Sequence, residues 1–226
     1  MNIHPHTSIS NDINIIYEYI KNVKSDEIVL LRERTVIQWI FNDLSFLTHE
    51  ENKQVKANVI KSYEDEWGRA TLKLRRPDLK LNKQWTNKFG EHICEELFIL
   101  KNEPAKPPTK KKGMKPDLET EKIIIEVKTG TYYTTGTAGE KILGCPFKYA
   151  EIPDLYKKPL HIICIGGAEK SCRESYGNLN GPALTSKKKK FLDFYENNDI
   201  IFLAITDILR DIARNNLIIT PLTLST

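Results

Sequence analysis

The most restrictive feature of the chain is a short apolar run, residues 123–125, that leads directly into Glu126-Val127-Lys128. The period of the hydrophobic pattern changes here from helical to alternating, which is typical of a strand. Successive strand residues point to opposite faces of a sheet, so Glu126 and Lys128 share one face while Val127 points to the other. The pattern predicts a largely buried strand that carries an acid and a lysine side by side.

A second carboxylate precedes this strand. Asp117 follows Pro116 and lies nine positions before Glu126, which leaves room for a tight turn and a return strand. A hairpin over residues 118–127 would bring the two carboxylates together. Two carboxylates and a lysine on one sheet face can bind a divalent metal through oxygen and position a nucleophile for phosphodiester cleavage. The competing interpretation is an exposed ion pair beside an ordinary Pro-Asp turn.

Hydrophobic periodicity predicts helices before this hairpin, and strands mixed with helices after it. The first seventy residues have helical spacing; a second helix would begin at Ser25 and a third would span about 49–67. The other predicted elements are a strand at 71–74, an amphipathic helix at 84–100, a mobile connector at 104–113, a short helix at 140–143, a strand at 160–165, a helix at 187–197, a strand at 200–205 and a helix at 207–215. This order predicts an α/β fold with a mixed sheet between helices.

The composition is that of a soluble globular protein, with 28% charged and 40% hydrophobic residues. No apolar run approaches the roughly 20 residues that span a bilayer. The N-terminus lacks a basic segment followed by an apolar stretch, so we expect a cytoplasmic protein without membrane association. Four cysteines are spaced for neither a zinc site nor a disulfide framework. Motifs for nucleotide binding, serine hydrolysis and zinc hydrolysis are absent from the sequence.

Positive charge is clustered although the net charge is only +4. Lysines crowd the segment 101–115, a second run covers 187–190, and Arg75-Arg76 form a third cluster. Such runs are often no more than solvated surface. The first run immediately precedes Asp117, where a phosphate would have to arrive, and this placement favours contact with nucleic acid.

These motifs together resemble the PD-(D/E)xK nucleases, and among them the type II restriction endonucleases. The resemblance covers roughly residues 84–206. It consists of a helix with Glu91 and Glu95, then Pro116-Asp117, then Glu126-Val127-Lys128, then the Gly-Thr-Ala-Gly-Glu-Lys-Ile stretch at 136–142 and the strand from Leu160. It implies a restriction-endonuclease-like core, which we expect to span residues 76–226. The helices of the N-terminal region, 1–75, match nothing in the family; we expect this region to grip DNA or mediate dimerisation, and the whole chain to form one compact domain.

Carried onto this chain, the resemblance implies a Mg²⁺ site formed by Asp117, Glu126 and the backbone carbonyl of Val127. Lys128 would orient the attacking water or stabilise the developing negative charge, and both roles stay open. Glu91 would complete the site, with Glu95 as the alternative. Cleavage would leave 5′-phosphate ends.

The resemblance and the charge pattern also suggest residues that contact double-stranded DNA. Hydroxyls can bind phosphates or a thymine methyl, and asparagine can pair with adenine. The predicted contacts are Lys110, Lys111, Lys112, Lys115, Thr131, Tyr132, Thr134, Thr137, Lys141, Asn178, Asn180, Lys187, Lys188, Arg75 and Arg76. Ordinary turn chemistry is the alternative for the loop residues, and packing is the expected role of Trp39, Trp67 and Trp85.

The leading functional hypothesis is a homodimeric, Mg²⁺-dependent enzyme that cuts palindromic DNA, with an A/T-rich site among the alternatives. One active site per chain must act once on each strand of a two-fold symmetric target, which is the reason to expect a homodimer. Two other hypotheses stay open. One is a structure-specific nuclease of the same superfamily, such as a junction resolvase or a repair enzyme. The other is a DNA-binding protein that has the fold but does not cut.

Overall fold

The computed structural model describes residues 9–47, 57–80, 84–133 and 138–219. The helices are α1 (Ile9–Asn22), α2 (Arg34–Ile40), α3 (Ala57–Arg75), α4 (Trp85–Leu100), α5 (Ala138–Leu143), α6 (Cys145–Lys148), α7 (Ile152–Tyr156), α8 (Gly167–Ser171), α9 (Ser186–Glu196) and α10 (Ile205–Ile219). The strands are β1 (Leu118–Glu119), β2 (Ile124–Gly130), β3 (Leu160–Gly166) and β4 (Ile200–Ala204). Within the described residues, no helix is long and apolar enough to cross a bilayer.

The four strands form one mixed sheet in the order β1-β2-β3-β4. β1 pairs antiparallel with β2, so that Leu118 lies opposite Ile125, whereas β2, β3 and β4 run parallel. β3 is the central strand and is buried along most of its length, as its unbroken apolar sequence predicts. The predicted α/β class with a mixed sheet between helices is confirmed.

The strand period divides the core between the two faces of the sheet. Ile125, Val127 and Ile163 face the larger cluster, which also contains α4, α10 and the N-terminal helices. Ile124 and Ile162 face a smaller cluster formed with α6 and α7. Glu126 and Lys128 alternate with Ile125 and Val127, so they belong to this second face.

An aromatic cluster joins the N-terminal helices to the sheet. The rings of Trp39, Trp67 and Trp85 pack against one another at centroid distances of 6.0–6.2 Å, which confirms their packing role. Trp39 Nε1 donates a 2.7 Å hydrogen bond to Glu64, a fully buried carboxylate. Burial raises the pKa of Glu64.

The prediction of a helix that begins at Ser25 is wrong, because α2 begins only at Arg34. The preceding segment is instead held by a distant side chain. Glu96 on α4 accepts hydrogen bonds from the backbone N–H groups of Leu30 (2.9 Å) and Leu31 (2.7 Å). Those two groups are thereby satisfied without helical partners.

The predicted strand at 71–74 is also wrong, because these residues are the last turns of α3. Their alternating sequence imitates a strand, but Arg76 N–H donates to the carbonyl of Leu72 at 2.7 Å and continues the helical pattern. Leu72 is buried while Leu74 is exposed. The first part of the third predicted helix lies outside the described residues, and the helices at 84–100, 187–197 and 207–215 are confirmed, the last with an earlier start at Ile205.

Candidate active site

The β1–β2 hairpin brings Asp117 beside the strand that contains Glu126 and Lys128. Asp117 Oδ2 accepts a 2.8 Å hydrogen bond from the backbone N–H of Val127. This bond fixes the carboxylate one residue from Glu126, at the β1 side of β2. This hydrogen bond supports the prediction that the hairpin brings Asp117 close to Glu126.

Glu126 and Lys128 form an ion pair on the same face of β2. Lys128 Nζ lies 2.6 Å from Glu126 Oε1, and the two side chains are 21% and 6% exposed. The second oxygen of Glu126, Oε2, is buried and has no hydrogen-bond partner among the described residues. A buried carboxylate oxygen without a partner is costly, and a cation or a hydrogen-bond donor at this oxygen would offset that cost.

The charges in this group are strongly coupled. Burial, and then the neighbouring charge of Glu126, raise the pKa of Asp117 from 3.8 to about 7, and the charge of Glu91 acts in the same direction. Burial alone would lower the pKa of Lys128, but the charge and hydrogen bond of Glu126, together with the charges of Cys145 and Asp117, outweigh burial and raise that pKa. The lysine is therefore held as an ammonium, and the two acids repel each other across a partly dry site.

Among the helix glutamates, the structure favours Glu91 for the site. Glu91 is close enough for its charge to raise the pKa of Asp117. Both glutamates also have a basic partner: Glu91 pairs with Lys88 at 2.5 Å, whereas Glu95 contacts His92 and lies 3.8 Å from Arg76 Nη1. Glu96, on the same helix, accepts hydrogen bonds from Leu30 and Leu31 and so holds the N-terminal segment.

Gly90 explains how Glu91 comes so close to the sheet. A Cβ at this position would lie 1.7 Å from Thr129 Oγ1 and 3.1 Å from Val127 Cγ1. Only a residue without a side chain permits α4 to pack this tightly against β2. Gly90 of α4 packs against Val127 and Thr129, which lie on the face of β2 opposite to Glu126 and Lys128.

Cys145 on α6 and Tyr149, which directly follows α6, lie near Glu126 and Lys128. The sequence did not reveal this proximity. Burial raises the pKa of Cys145 to about 12, and the charges of Lys128 and Glu126 both act on this thiol. Burial, followed by the charge of Glu126, also raises the pKa of Tyr149. Lys148 Nζ lies 2.9 Å from Tyr149 Oη. The only indication of this in the sequence was that these residues follow the Gly-Thr-Ala-Gly-Glu-Lys-Ile stretch at 136–142.

The oxygen donors of this group suit a hard divalent cation. Asp117, Glu126 and the backbone carbonyl of Val127 are the donors that the resemblance implies, and Mg²⁺ is commonly bound by one or two carboxylates. The free Oε2 of Glu126 fits such a ligand. Among the described residues, no group of three or more His, Cys, Asp or Glu side chains is arranged to hold a metal. A cation here would depend on two carboxylates and a backbone oxygen.

The predicted DNA contacts fall into two structural groups. Those with exposed side chains are Lys110, Lys111, Lys112, Lys115, Lys141, Asn180, Lys187 and Arg75, of which Arg75 pairs with Glu33. The others are partly or fully buried: Thr131, Tyr132, Asn178, Lys188 and Arg76. Thr134 and Thr137 lie outside the described residues.

Several members of the buried group have structural partners. Tyr132 donates a 2.6 Å hydrogen bond to the carbonyl of Trp39. Lys188 donates to the carbonyl of Ala183 at 3.1 Å. Arg76 donates to the carboxylate of Asp78 through Nε at 3.0 Å and through Nη2 at 2.9 Å. Asn178 is 4% exposed, so its amide faces the interior beside Cys172 and not a surface groove.

No protein-family model, curated protein or solved structure matches this chain. Function is therefore inferred from the positions and charges of Asp117, Glu126, Lys128 and Glu91, together with the basic surface beside them.

Proposed function

We propose that this chain is a Mg²⁺-dependent endonuclease of the PD-(D/E)xK type that cuts both strands of duplex DNA, as a type II restriction endonuclease does. The observation that carries the proposal is the group formed by Asp117, Glu126 and Lys128. Asp117 is bonded to the backbone of Val127 at 2.8 Å, beside the 2.6 Å Glu126–Lys128 pair. Exposed lysines, of which Lys115 is the nearest in sequence, precede Asp117 along the chain.

The electrostatics support a cation at this position. Two carboxylates that repel each other in a partly buried site are unfavourable, and one ammonium offsets only part of their charge. Burial is the largest cause of the raised pKa of Asp117, and the charge of Glu126 adds this imbalance to it. A divalent cation between Asp117 and Glu126 would remove it, whereas a protein that only binds DNA gains nothing from two acids beside a phosphate.

The proposed reaction is hydrolysis of a phosphodiester. Water oxygen forms a bond to phosphorus, the bond from phosphorus to the 3′ oxygen breaks, and the products are a 5′-phosphate and a 3′-hydroxyl. Lys128 either orients the water or neutralises charge that develops on the phosphate oxygens. Bound Mg²⁺ would supply positive charge that favours the ionisation of water and offsets the charge of the phosphate.

A homodimer is the assembly that this reaction requires for a two-fold symmetric target. Each chain contains one group of catalytic side chains, so one copy acts on each strand. The exposed side chains of Lys110, Lys111, Lys112, Lys115 and Lys141 provide positive surface for the phosphate backbone.

Incubation of the purified protein with plasmid and Mg²⁺ tests the proposal. Discrete fragments with 5′-phosphate ends support a restriction endonuclease. Asp117→Asn is expected to abolish cleavage, and Asp154→Asn is the matched control, because Asp154 also follows a proline but is exposed on α7.

Two results would replace the proposal with another. Cleavage confined to branched or damaged duplexes would indicate a structure-specific nuclease. Tight binding of duplex DNA without cleavage, under every divalent metal tried, would indicate a DNA-binding protein of the same fold.

A further inference from the structure

The lysine-rich segment before Asp117 forms a tight hairpin turn. Lys111 and Met114 exchange two backbone hydrogen bonds, of 3.0 and 2.8 Å. The two residues between them, Lys112 and Gly113, both have positive φ angles, 45° and 84°. This is the geometry of a two-residue β-hairpin connection. We call residues 109–115 the lysine turn.

The lysine turn is anchored to α7, which corrects the expectation of a mobile connector. Tyr156 Oη donates a 2.7 Å hydrogen bond to the carbonyl of Thr109 and lies 3.3 Å from the carbonyl of Met114. The ammonium of Lys111 lies 4.4 Å from the centre of the Tyr156 ring. Tyr156 itself is buried. One side chain thus holds both ends of the turn.

A second attachment joins the same segment to the sheet. Lys106 and Glu119 exchange backbone hydrogen bonds of 2.9 and 2.7 Å, which extends the sheet beyond β1. With the turn bonded to Tyr156 and the preceding residue Lys106 bonded to Glu119, the backbone of the turn cannot move far without breaking hydrogen bonds. Its side chains are therefore presented from a fixed backbone.

The turn presents positive charge that the fold does not use. Lys110, Lys112 and Lys115 are exposed, and in the described part of the chain none of the three forms an ion pair. The segment 104–116 contains no acidic residue. Lys115 is two residues from Asp117, a reach of about 7 Å along the backbone.

The backbone of Lys112 is in the left-handed region, which is unfavourable for lysine. A left-handed backbone suits glycine or asparagine, and a lysine there is strained. Its side chain is exposed, so it makes no compensating contact in the core.

From these observations we infer that the lysine turn is a preformed clamp for the phosphate backbone of duplex DNA beside the cut site, with Tyr156 as its positioning residue. The inference rests on the proposed function, because it takes Asp117 as the place where the scissile phosphate arrives. A fixed turn loses little conformational freedom on binding, which favours affinity. Each phosphate that a lysine neutralises releases counterions.

Binding of a fluorescein-labelled mixed-sequence duplex, followed by fluorescence anisotropy in Ca²⁺ at several salt concentrations, tests the clamp. The double variant K110Q/K112Q is expected to raise Kd by roughly tenfold to fiftyfold at 0.1 M salt and to reduce the slope of log K against log salt by about 2. The charge-matched control is K101Q/K122Q, whose lysines lie near Glu103 at the other end of α4 and of the β1–β2 hairpin. This control is expected to change the slope by less than about 0.5.

Tyr156→Phe tests the positioning role. Loss of the hydroxyl is expected to raise Kd about threefold to fivefold in the wild-type background and by a clearly smaller factor in K110Q/K112Q, because two of the lysines it positions are already absent. A purely structural role would weaken both backgrounds equally and would overturn this part of the inference.

The clamp itself is overturned if K110Q/K112Q retains the wild-type salt slope, or if the wild-type protein fails to bind the duplex. These measurements need no cleavage. If the wild-type protein binds but never cuts, the proposed function fails while the salt slopes still decide whether the lysine turn grips DNA.

Discussion

Replacing Asp117 with asparagine is expected to stabilise the metal-free protein while it abolishes catalysis. Asparagine has nearly the same shape, and its carbonyl oxygen can still accept the hydrogen bond that Asp117 Oδ2 accepts from Val127. What the substitution removes is a negative charge that burial and Glu126 make unfavourable. Active-site residues are often unfavourable for the stability of the fold, because they are placed for function.

The size of the effect follows from the shift in the pKa of Asp117, from 3.8 to about 7. Below pH 3.8 the carboxyl is neutral in the folded and unfolded states and costs nothing. As the pH rises, the unfolded state ionises first, so the folded protein loses stability until the pH passes about 7. At 1.36 kcal/mol per pKa unit, Asp117→Asn should stabilise the protein by roughly 1–2 kcal/mol at pH 5 and by at most about 4 kcal/mol at pH 8.

Denaturant unfolding in EDTA at pH 5 and pH 8 measures this difference, with Asp154→Asn as the control. The control should change the free energy of unfolding by less than about 0.5 kcal/mol at either pH, because Asp154 is exposed. Addition of Mg²⁺ should stabilise the wild-type protein at pH 8 and should have little effect on Asp117→Asn. Equal stabilisation by Asp117→Asn at both pH values, or destabilisation at pH 8, would refute the electrostatic reasoning.

Three further predictions concern the neighbours of this carboxylate. Gly90→Ala should cost about 1–3 kcal/mol of unfolding free energy, measured with urea, because the added Cβ meets Thr129 at 1.7 Å. In a plasmid assay with Mg²⁺, Glu91→Gln should slow cleavage by roughly tenfold or more, whereas Glu95→Gln should slow it by less than about threefold; the reverse order would assign Glu95 to the site. Lys128→Met should slow cleavage by at least about a hundredfold and leave Ca²⁺-supported DNA binding largely intact, and normal cleavage by this variant would exclude Lys128 from catalysis.

The sequence was sufficient for the parts of the structure that depend on local pattern. The alternation around Glu126 and Lys128 predicts the face that they share, and the nine-residue interval from Asp117 predicts the hairpin that joins them. The apolar run beginning at Leu160 predicts the central strand. In each case the period of the hydrophobic residues and one turn determine the outcome.

Contacts between distant parts of the chain were beyond the reach of sequence reasoning. The segment before α2 is held by Glu96, which lies 65 and 66 residues from its two backbone partners. The position of the lysine turn depends on Tyr156, which is 47 residues from Thr109. Local periodicity contains no information on such pairs, because these hydrogen bonds form only when tertiary packing brings distant residues together.

The short strand expected at 71–74 illustrates a different difficulty. Its residues alternate between polar and apolar, yet they continue a helix whose buried side is already set by Trp67 and Leu72. A four-residue pattern is too short to outweigh the helix that precedes it. Tertiary packing decides such cases.

X-ray diffraction from crystals soaked in MnCl₂ most directly tests the central claim that Asp117 and Glu126 share one divalent cation beside Lys128. Anomalous scattering locates manganese independently of the protein atoms. The account predicts a peak about 2.0–2.3 Å from oxygens of both carboxylates and from the carbonyl of Val127. Manganese bound elsewhere on the chain, or carboxylates that point away from each other in the crystal, would contradict it.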